Sequence, residues 1–216
     1  MKIIEKTKAT LKDKEKKVTV LFIVSFIISV VFAIYNLILG IYNLSWWFVI
    51  MGIYYLILCI MKFIAGYKRI RYCQNEKIQL STMRIVSIII IPFIIVLIAT
   101  IAVSLKYELM KYHTKIIMIT IAAYTFYKVI TSIINYFKAK KSKDSSLITI
   151  RNINTIDALV SILNLQMSML VSFEDGDIGK AKIMNIITGF IVCALITYIA
   201  IWMLVYSIKH KEKRIK

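Results

Sequence analysis

Six long apolar runs, separated by short polar stretches, dominate the pattern of hydrophobic and polar residues along this chain. The runs cover residues 18–42, 46–67, 83–105, 115–137, 151–173 and 183–208. A helix needs roughly 20 mostly apolar residues to cross a lipid bilayer. Each run meets that length, so the pattern predicts an all-α, polytopic membrane protein, a helical bundle with six transmembrane helices.

The fifth run, RNINTIDALVSILNLQMSMLVSF, is long enough to cross a bilayer but contains many polar residues. At about 100° per residue, six of these fall within one arc of about 80° around a helix. They are Asn154, Asp157, Ser161, Asn164, Ser168 and Ser172. We therefore expect a transmembrane helix whose polar face contacts protein or water while its apolar face contacts lipid.

The basic residues indicate the orientation of the predicted helices. The 216-residue chain carries 29 Lys and Arg against 11 Asp and Glu. With six spans, 22 of the 29 basic residues fall on the side that holds both termini and 5 on the opposite side. Because cytoplasmic segments are enriched in Lys and Arg, we predict that both termini are cytoplasmic. The chain then divides into a basic N-terminal segment (1–17), a transmembrane domain (18–208) and a basic tail (209–216).

The net charge of +18 points to a membrane surface rather than to nucleic acid. Most basic residues lie at the ends of apolar runs, where orientation signals are found. The N-terminal stretch KIIEKTKATLKDKEKK has no aromatic residues among its lysines, so we expect it to contact anionic lipid head groups. The predicted partners are the lipid bilayer and those head groups, with a partner membrane subunit or a second copy of this chain.

Three ionisable residues inside the predicted spans mark a candidate site. An unpaired Lys or Asp at the membrane centre costs about 2.5–3.5 kcal/mol, so we expect Asp157 to pair with Lys62 or Lys128. Polar residues on matching arcs of spans 2, 4 and 5 would line the same interior. The candidate ligand or cavity residues are Asp157, Lys128, Lys62, Asn164, Ser161, Tyr124, Thr131 and Asn154. Alternatively, the Ser and Asn side chains only join neighbouring helices by hydrogen bonds.

The sequence contains no pattern that is typical of a catalytic or metal-binding site. It has no H-E-x-x-H, P-loop or G-x-S-x-G motif. Cys59, Cys73 and Cys193 are scattered and form neither a disulfide framework nor a metal knuckle. We therefore predict no catalytic residue, no metal and no cofactor.

The segments YYLILCIMKF, AAYTFYKVITSIINYFK and ALVSILNLQMSML resemble those of a group of small membrane proteins from Gram-positive bacteria. This resemblance runs from span 2 to span 6. It implies a six-span protein of the bacterial cytoplasmic membrane and brings no catalytic or binding residues with it. The architecture is also similar to that of the substrate-binding subunits of energy-coupling vitamin transporters. Ser25, Ser29 and Ala33 stand where the first helix of those subunits has an alanine-rich motif.

These observations support three hypotheses about function. The leading one is a membrane transport or small-ligand-binding component with a polar interior between spans 2, 4 and 5. The alternative is a non-catalytic interaction or regulatory subunit, in which the polar face serves only helix packing. The third is an intramembrane enzyme built on Asp157 and Lys128.

Overall fold

The computed structural model describes residues 23–42, 44, 46–72, 75–107, 115–140, 145–172 and 178–212. Within these ranges the chain is helical and contains no strand. The helices are α1 (Ile23–Tyr42), α2 (Trp46–Arg71), α3 (Glu76–Tyr107), α4 (Lys115–Lys140), α5 (Ser145–Ser172) and α6 (Ile178–Glu212). All six are long and apolar enough to cross a membrane. The predicted all-α fold with six membrane-spanning helices is confirmed.

Several helices are longer than the apolar runs that predicted them. α3 begins at Glu76 instead of residue 83, and α5 begins at Ser145 instead of residue 151. Hydropathy detects only the apolar part of a helix, whereas polar turns continue the same hydrogen-bond pattern beyond it. Asn75 caps α3, since its side-chain oxygen accepts a hydrogen bond from the Ile78 backbone N–H (3.4 Å). The predicted loops at 68–84 and 138–151 are correspondingly shorter.

The N-terminal segment 1–17 lies outside the described residues. Of the predicted tail 209–216, residues 209–212 continue α6.

α5 is the central helix of the bundle, although it is the most polar of the six. It packs against α2, α3, α4 and α6. In the membrane-spanning part of α5, 72% is buried inside the protein, compared with 28% in α1 and in α4. The polar face can avoid lipid only if other helices surround it. The position of α5 therefore follows from its composition.

The outer surface of the bundle is apolar. Large side chains such as Ile95, Ile116, Ile119 and Phe190 are mostly exposed, with Phe190 at 76%. In water such a surface would be unfavourable, whereas in a bilayer it contacts hydrocarbon. The six helices and this surface are those of a multi-pass membrane protein.

α1 and α2 form a close-packed hairpin in which two glycines allow the helices to approach. A Cβ atom at Gly40 would lie 2.7 Å from the Val49 backbone nitrogen. A Cβ atom at Gly52 would lie 2.6 Å from Leu37 side-chain atoms. Small residues at such positions are typical of contacts between membrane helices. These contacts hold α1 against α2 near their connected ends, roughly 15 Å along the helices from Ser29 and Lys62.

We predict that Gly40→Ala destabilises the protein by about 1–3 kcal/mol, because the added methyl group collides with backbone that cannot move aside. Gly189→Ala is the matched control, since the three atoms nearest to its Cβ all belong to the Ile101 side chain, the closest at 3.0 Å, and none is backbone. Reversible unfolding in mixed micelles measures both free energies. Equal losses for the two variants would contradict the close contact at Gly40.

Candidate functional site

The polar face of α5 points into the protein. Asp157, Ser161, Asn164 and Ser168 are fully buried, each with 0% of its surface exposed. The Ser161 and Ser168 hydroxyls donate to carbonyls one turn earlier in α5, those of Asp157 and Asn164, both at 2.8 Å. These bonds satisfy the hydroxyl donors within the helix, and leave the face available to groups from other helices. The predicted alignment of polar residues away from lipid is confirmed at these positions.

Asp157 binds both lysines of the predicted spans. Asp157 Oδ2 contacts the Lys62 Nζ and lies 2.5 Å from the Lys128 Nζ. Lys62, Lys128 and Asp157 are 1%, 3% and 0% exposed. The expected pairing of Asp157 with Lys62 or Lys128 is confirmed, and in fact it involves both. We call these three residues the charge triad.

Ser29 of α1 joins the two lysines on the side opposite Asp157. Its Oγ accepts hydrogen bonds from the Lys62 Nζ at 2.9 Å and from the Lys128 Nζ at 2.5 Å. The Ser29 hydroxyl itself donates to the Ser25 carbonyl oxygen at 2.9 Å. A hydroxyl has one donor and two acceptor lone pairs, so Ser29 uses its full hydrogen-bonding capacity. The polar interior therefore lies between α1, α2, α4 and α5, one helix more than the sequence predicted.

The helix lengths explain how three helices bring these groups to the same level. From Ser145 to Asp157, α5 rises about 18 Å at about 1.5 Å per residue. From Lys128 to its last residue, α4 also covers about 18 Å, and α2 covers about 14 Å beyond Lys62. α2 and α4 run in the direction opposite to α5. Asp157 and Lys128 therefore lie at equal distances along their helices from the start of α5 and the end of α4.

In the charge triad, the attraction between opposite charges is similar in size to the sum of the ammonium repulsion and the cost of desolvation. Each ammonium–carboxylate contact at about 3 Å contributes roughly 5–6 kcal/mol at an effective dielectric constant of about 20. Two ammonium ions bonded to one oxygen lie less than about 5 Å apart and repel each other by roughly 3–4 kcal/mol. Desolvation costs several kcal/mol for each ion. With all three groups ionised, the cluster would therefore add little net stability, whereas the loss of Asp157 leaves a buried ammonium ion without its counter-charge.

Aromatic rings shield the charge triad from one side. The Lys128 Nζ lies 5.1 Å from the centre of the Tyr124 ring, a cation–π distance. Phe32 of α1 stacks on Tyr124 with ring centroids 3.4 Å apart, and it meets the edge of Tyr55 at 5.1 Å. These rings exclude water and lipid from the cluster, so electrostatic forces there act through a medium of low polarity.

A second polar layer lies next to the charge triad and links α2, α4 and α5. The Tyr55 hydroxyl donates to Ser161 Oγ at 3.3 Å, and it also faces the Asn164 side chain. Thr125 of α4 donates to the Ser161 carbonyl oxygen at 3.2 Å. The candidate residues Ser161 and Asn164 thus share one interior with the charge triad.

Two candidate residues lie apart from the cluster. Asn154 is buried one turn before Asp157, and Thr131 is half-buried one turn after Lys128. Neither forms a hydrogen bond or an ion pair with the charge triad in the described structure. At this level α4 and α5 are joined by Ser132, whose hydroxyl lies 3.2 Å from that of Thr155. An arc of a helical wheel predicts the side of the helix on which a residue lies, but it does not predict which hydrogen bonds the residue makes.

Sequence reasoning missed the roles of Ser29, Phe32 and Thr125. Ser29 was expected only to allow close helix packing. The signal that could have identified it is depth, because a serine in α1 at the level of two buried lysines must face them or the lipid. Phe32 and Thr125 carry no comparable signal, since aromatic residues and threonines are frequent throughout these spans.

One oxygen of the charge triad has no hydrogen-bond donor among the described residues. Asp157 Oδ1 is buried and accepts no hydrogen bond from any residue that the structure describes. A carboxylate that is strongly bonded at one oxygen only is unusual in a buried site, because an unsatisfied acceptor costs free energy. This oxygen can accept a hydrogen bond from a ligand without disturbing the two lysine contacts.

We predict that Asp157→Asn lowers the free energy of unfolding by about 3–5 kcal/mol, because an ammonium ion is left buried without its counter-charge. Adding Lys128→Met to that variant removes the stranded charge and should restore at least half of the loss. Thr197→Ala is a control that removes a hydroxyl bonded only within its own helix, and we expect a loss of about 0.6 kcal/mol or less. Simple additivity of Asp157→Asn and Lys128→Met would contradict the pairing.

Comparison with protein-family models, with curated proteins and with solved structures finds no match for this chain. The arrangement around Asp157 is therefore the basis on which a function can be inferred.

Proposed function

We propose that this protein is a membrane transport or small-ligand-binding component, and that its ligand binds in the polar interior around Asp157. The observation that carries the proposal is the charge triad itself. Three ionisable side chains from three helices meet at one level inside a membrane domain, where each is costly. Ionisable groups at such positions are typical of substrate, ion or proton pathways.

The composition of the interior fits a small polar ligand. Lys62 and Lys128 supply hydrogen-bond donors, Asp157 Oδ1 supplies a free acceptor, and the Ser161 and Asn164 side chains lie in the next layer. The aromatic rings of Phe32 and Tyr124 provide apolar walls. A few convergent polar groups among aromatic and aliphatic side chains are characteristic of small-molecule sites.

The proposed location is the bacterial cytoplasmic membrane, with both termini in the cytoplasm. The 22-to-5 distribution of basic residues supports this orientation. The resemblance to small membrane proteins of Gram-positive bacteria supports the compartment. In this arrangement the lysine-rich termini contact anionic lipid head groups, and the apolar outer surface is available to a partner membrane subunit or a second copy of the chain.

The alternative is a non-catalytic interaction or regulatory subunit. It is favoured by the direct contact among the side chains of the charge triad, which are less than 5% exposed. In that case the cluster would only fix the arrangement of α1, α2, α4 and α5. The two functions differ in whether water reaches the interior.

Cysteine accessibility distinguishes them. In a variant that lacks the native cysteines, we predict that Ser161→Cys and Asn164→Cys react with small water-soluble thiol reagents in the membrane-embedded protein. Val160→Cys is the control, because this equally buried side chain lies on the same helix outside the polar arc. Labelling is measured by a mass shift of the intact protein.

Reaction at positions 161 and 164, with protection at 160, supports a ligand site that opens to water. Protection at all three positions in folded protein would contradict the transport or ligand-binding role and favour the interaction subunit.

A further inference from the structure

The charge triad contains two basic groups and one acidic group. If all three were ionised, one positive charge would remain uncompensated. No other Asp or Glu among the described residues forms an ion pair with Lys62 or Lys128. Both lysine nitrogens bond to the same oxygen, Asp157 Oδ2, so the second ammonium ion would lie beside the first. Its repulsion from the first would cancel about half of its attraction to the carboxylate.

The remaining attraction does not compensate for the desolvation of a second ion. Burying an ammonium group costs several kcal/mol unless a well-placed counter-charge and hydrogen bonds replace its water. A buried group in this situation gives up its charge instead, which a lysine does by releasing a proton.

The contacts of the two nitrogens differ at one point, the Tyr124 ring, and this difference indicates which lysine is neutral. A neutral amine has two N–H donors, whereas an ammonium group has three. Lys62 makes two hydrogen bonds, to Asp157 Oδ2 and to Ser29 Oγ. Lys128 makes the same two bonds and also lies over the Tyr124 ring at 5.1 Å, a contact that favours a cation. Two donors are enough for every bond that Lys62 makes, while Lys128 is placed as a cation.

We propose that the triad holds a single ion pair, Lys128–Asp157, and that Lys62 is a neutral amine that serves as a proton-binding site inside the membrane domain. The ligand of this site is the proton. When the interior opens to water, the Lys62 amine takes one proton from solution and becomes an ammonium group. As the interior closes, the Lys62 ammonium group returns that proton to the water that leaves.

The groups that surround Lys62 come from four helices. α3 also packs against α2, and its one acid among the described residues is Glu76, at the start of the helix. α1 presents Ser29, α2 presents Tyr55 and Cys59, α4 presents Tyr124 and Lys128, and α5 presents Asp157. Asp157 is the only acid in this set, so no second carboxylate can hold Lys62 in its charged form. That proton binding at Lys62 is coupled to ligand movement rests on the function proposed above; the charge state itself does not.

Substitution by Met and by Arg at each lysine tests the charge state. Met keeps the length and removes the charge, whereas Arg is always charged. We predict that Lys62→Met stays within about 3 °C of the wild-type melting temperature, while Lys62→Arg lowers it by more than about 5 °C. The order reverses at position 128, where Arg should be tolerated better than Met. The double variant Lys62→Met/Lys128→Met should be less stable than either single Met variant.

The pH dependence provides an independent readout. The unfolded chain carries a proton on Lys62 that the folded protein lacks, so the stability of the wild type rises with pH. From about neutral pH up to about pH 10, where an unfolded lysine still carries its proton, the ratio of the unfolding constants of Lys62→Met and wild type should increase with pH, approaching tenfold per pH unit. The stability of Lys128→Met, like that of Lys62→Met, should not rise with pH in this way, because Lys62 then becomes the charged partner of Asp157.

A flat ratio over this pH range, or a Lys62→Met variant that fails to fold, would overturn the inference. So would equal losses at the two lysines with Arg tolerated at both, because that pattern requires two ammonium ions. These results are separate from the cysteine accessibility of Ser161 and Asn164. A neutral Lys62 in an interior that water never reaches would leave the inferred charge state intact, but it would contradict proton uptake from water and the ligand-binding function.

Discussion

The structure depends on keeping the Asp157 carboxylate away from lipid while giving it a counter-charge. This requirement explains why α5 lies at the centre and why α2 and α4 flank it, since these two helices bring the lysines that reach Asp157 Oδ2. It also explains the position of α1, whose Ser29 completes the hydrogen bonds of both lysines. A membrane helix with a charge on one face can be stable only where neighbouring helices replace the water it has lost.

Two sets of close contacts hold α1 against the rest of the bundle and so enclose this interior. Gly40 and Gly52 let α1 approach α2, which brings Ser29 and Phe32 over the cluster. Phe32 then stacks on Tyr124 and links α1 to α4. Because the rings exclude water, the same contacts that hold α1 in place also strengthen the electrostatic interactions beneath them. The fold and the candidate site are thus built from the same residues.

The sequence was sufficient for the number and type of the helices and for the alignment of the polar residues in α5. Membrane helices must satisfy their backbone internally, so an apolar run of sufficient length has few alternatives to a helix. The pairing of Asp157 with a lysine could be predicted from the free-energy cost of an unpaired carboxylate in the membrane. The simultaneous contact of Asp157 with two lysines could not be predicted. The start of α5 at Ser145 was also missed: residues 145–150 include Leu147, Ile148 and Ile150, but they lie between the basic residues Lys143 and Arg151, which indicated a loop. The separation of Thr131 from the site depends on helix rotation and tilt, which a helical wheel does not contain.

The central claim is that α5 crosses the bilayer with its polar face surrounded by protein. A nitroxide scan along residues 159–169 of α5 in bilayers, with the collision rate of lipid-dissolved oxygen as the readout, tests it most directly. We expect the collision rate to be highest at Ile162 and Met169, the outward-facing positions of this stretch, and lowest at Ser161, Asn164 and Ser168. Maxima at the serines, or oxygen contact without helical periodicity, would contradict it.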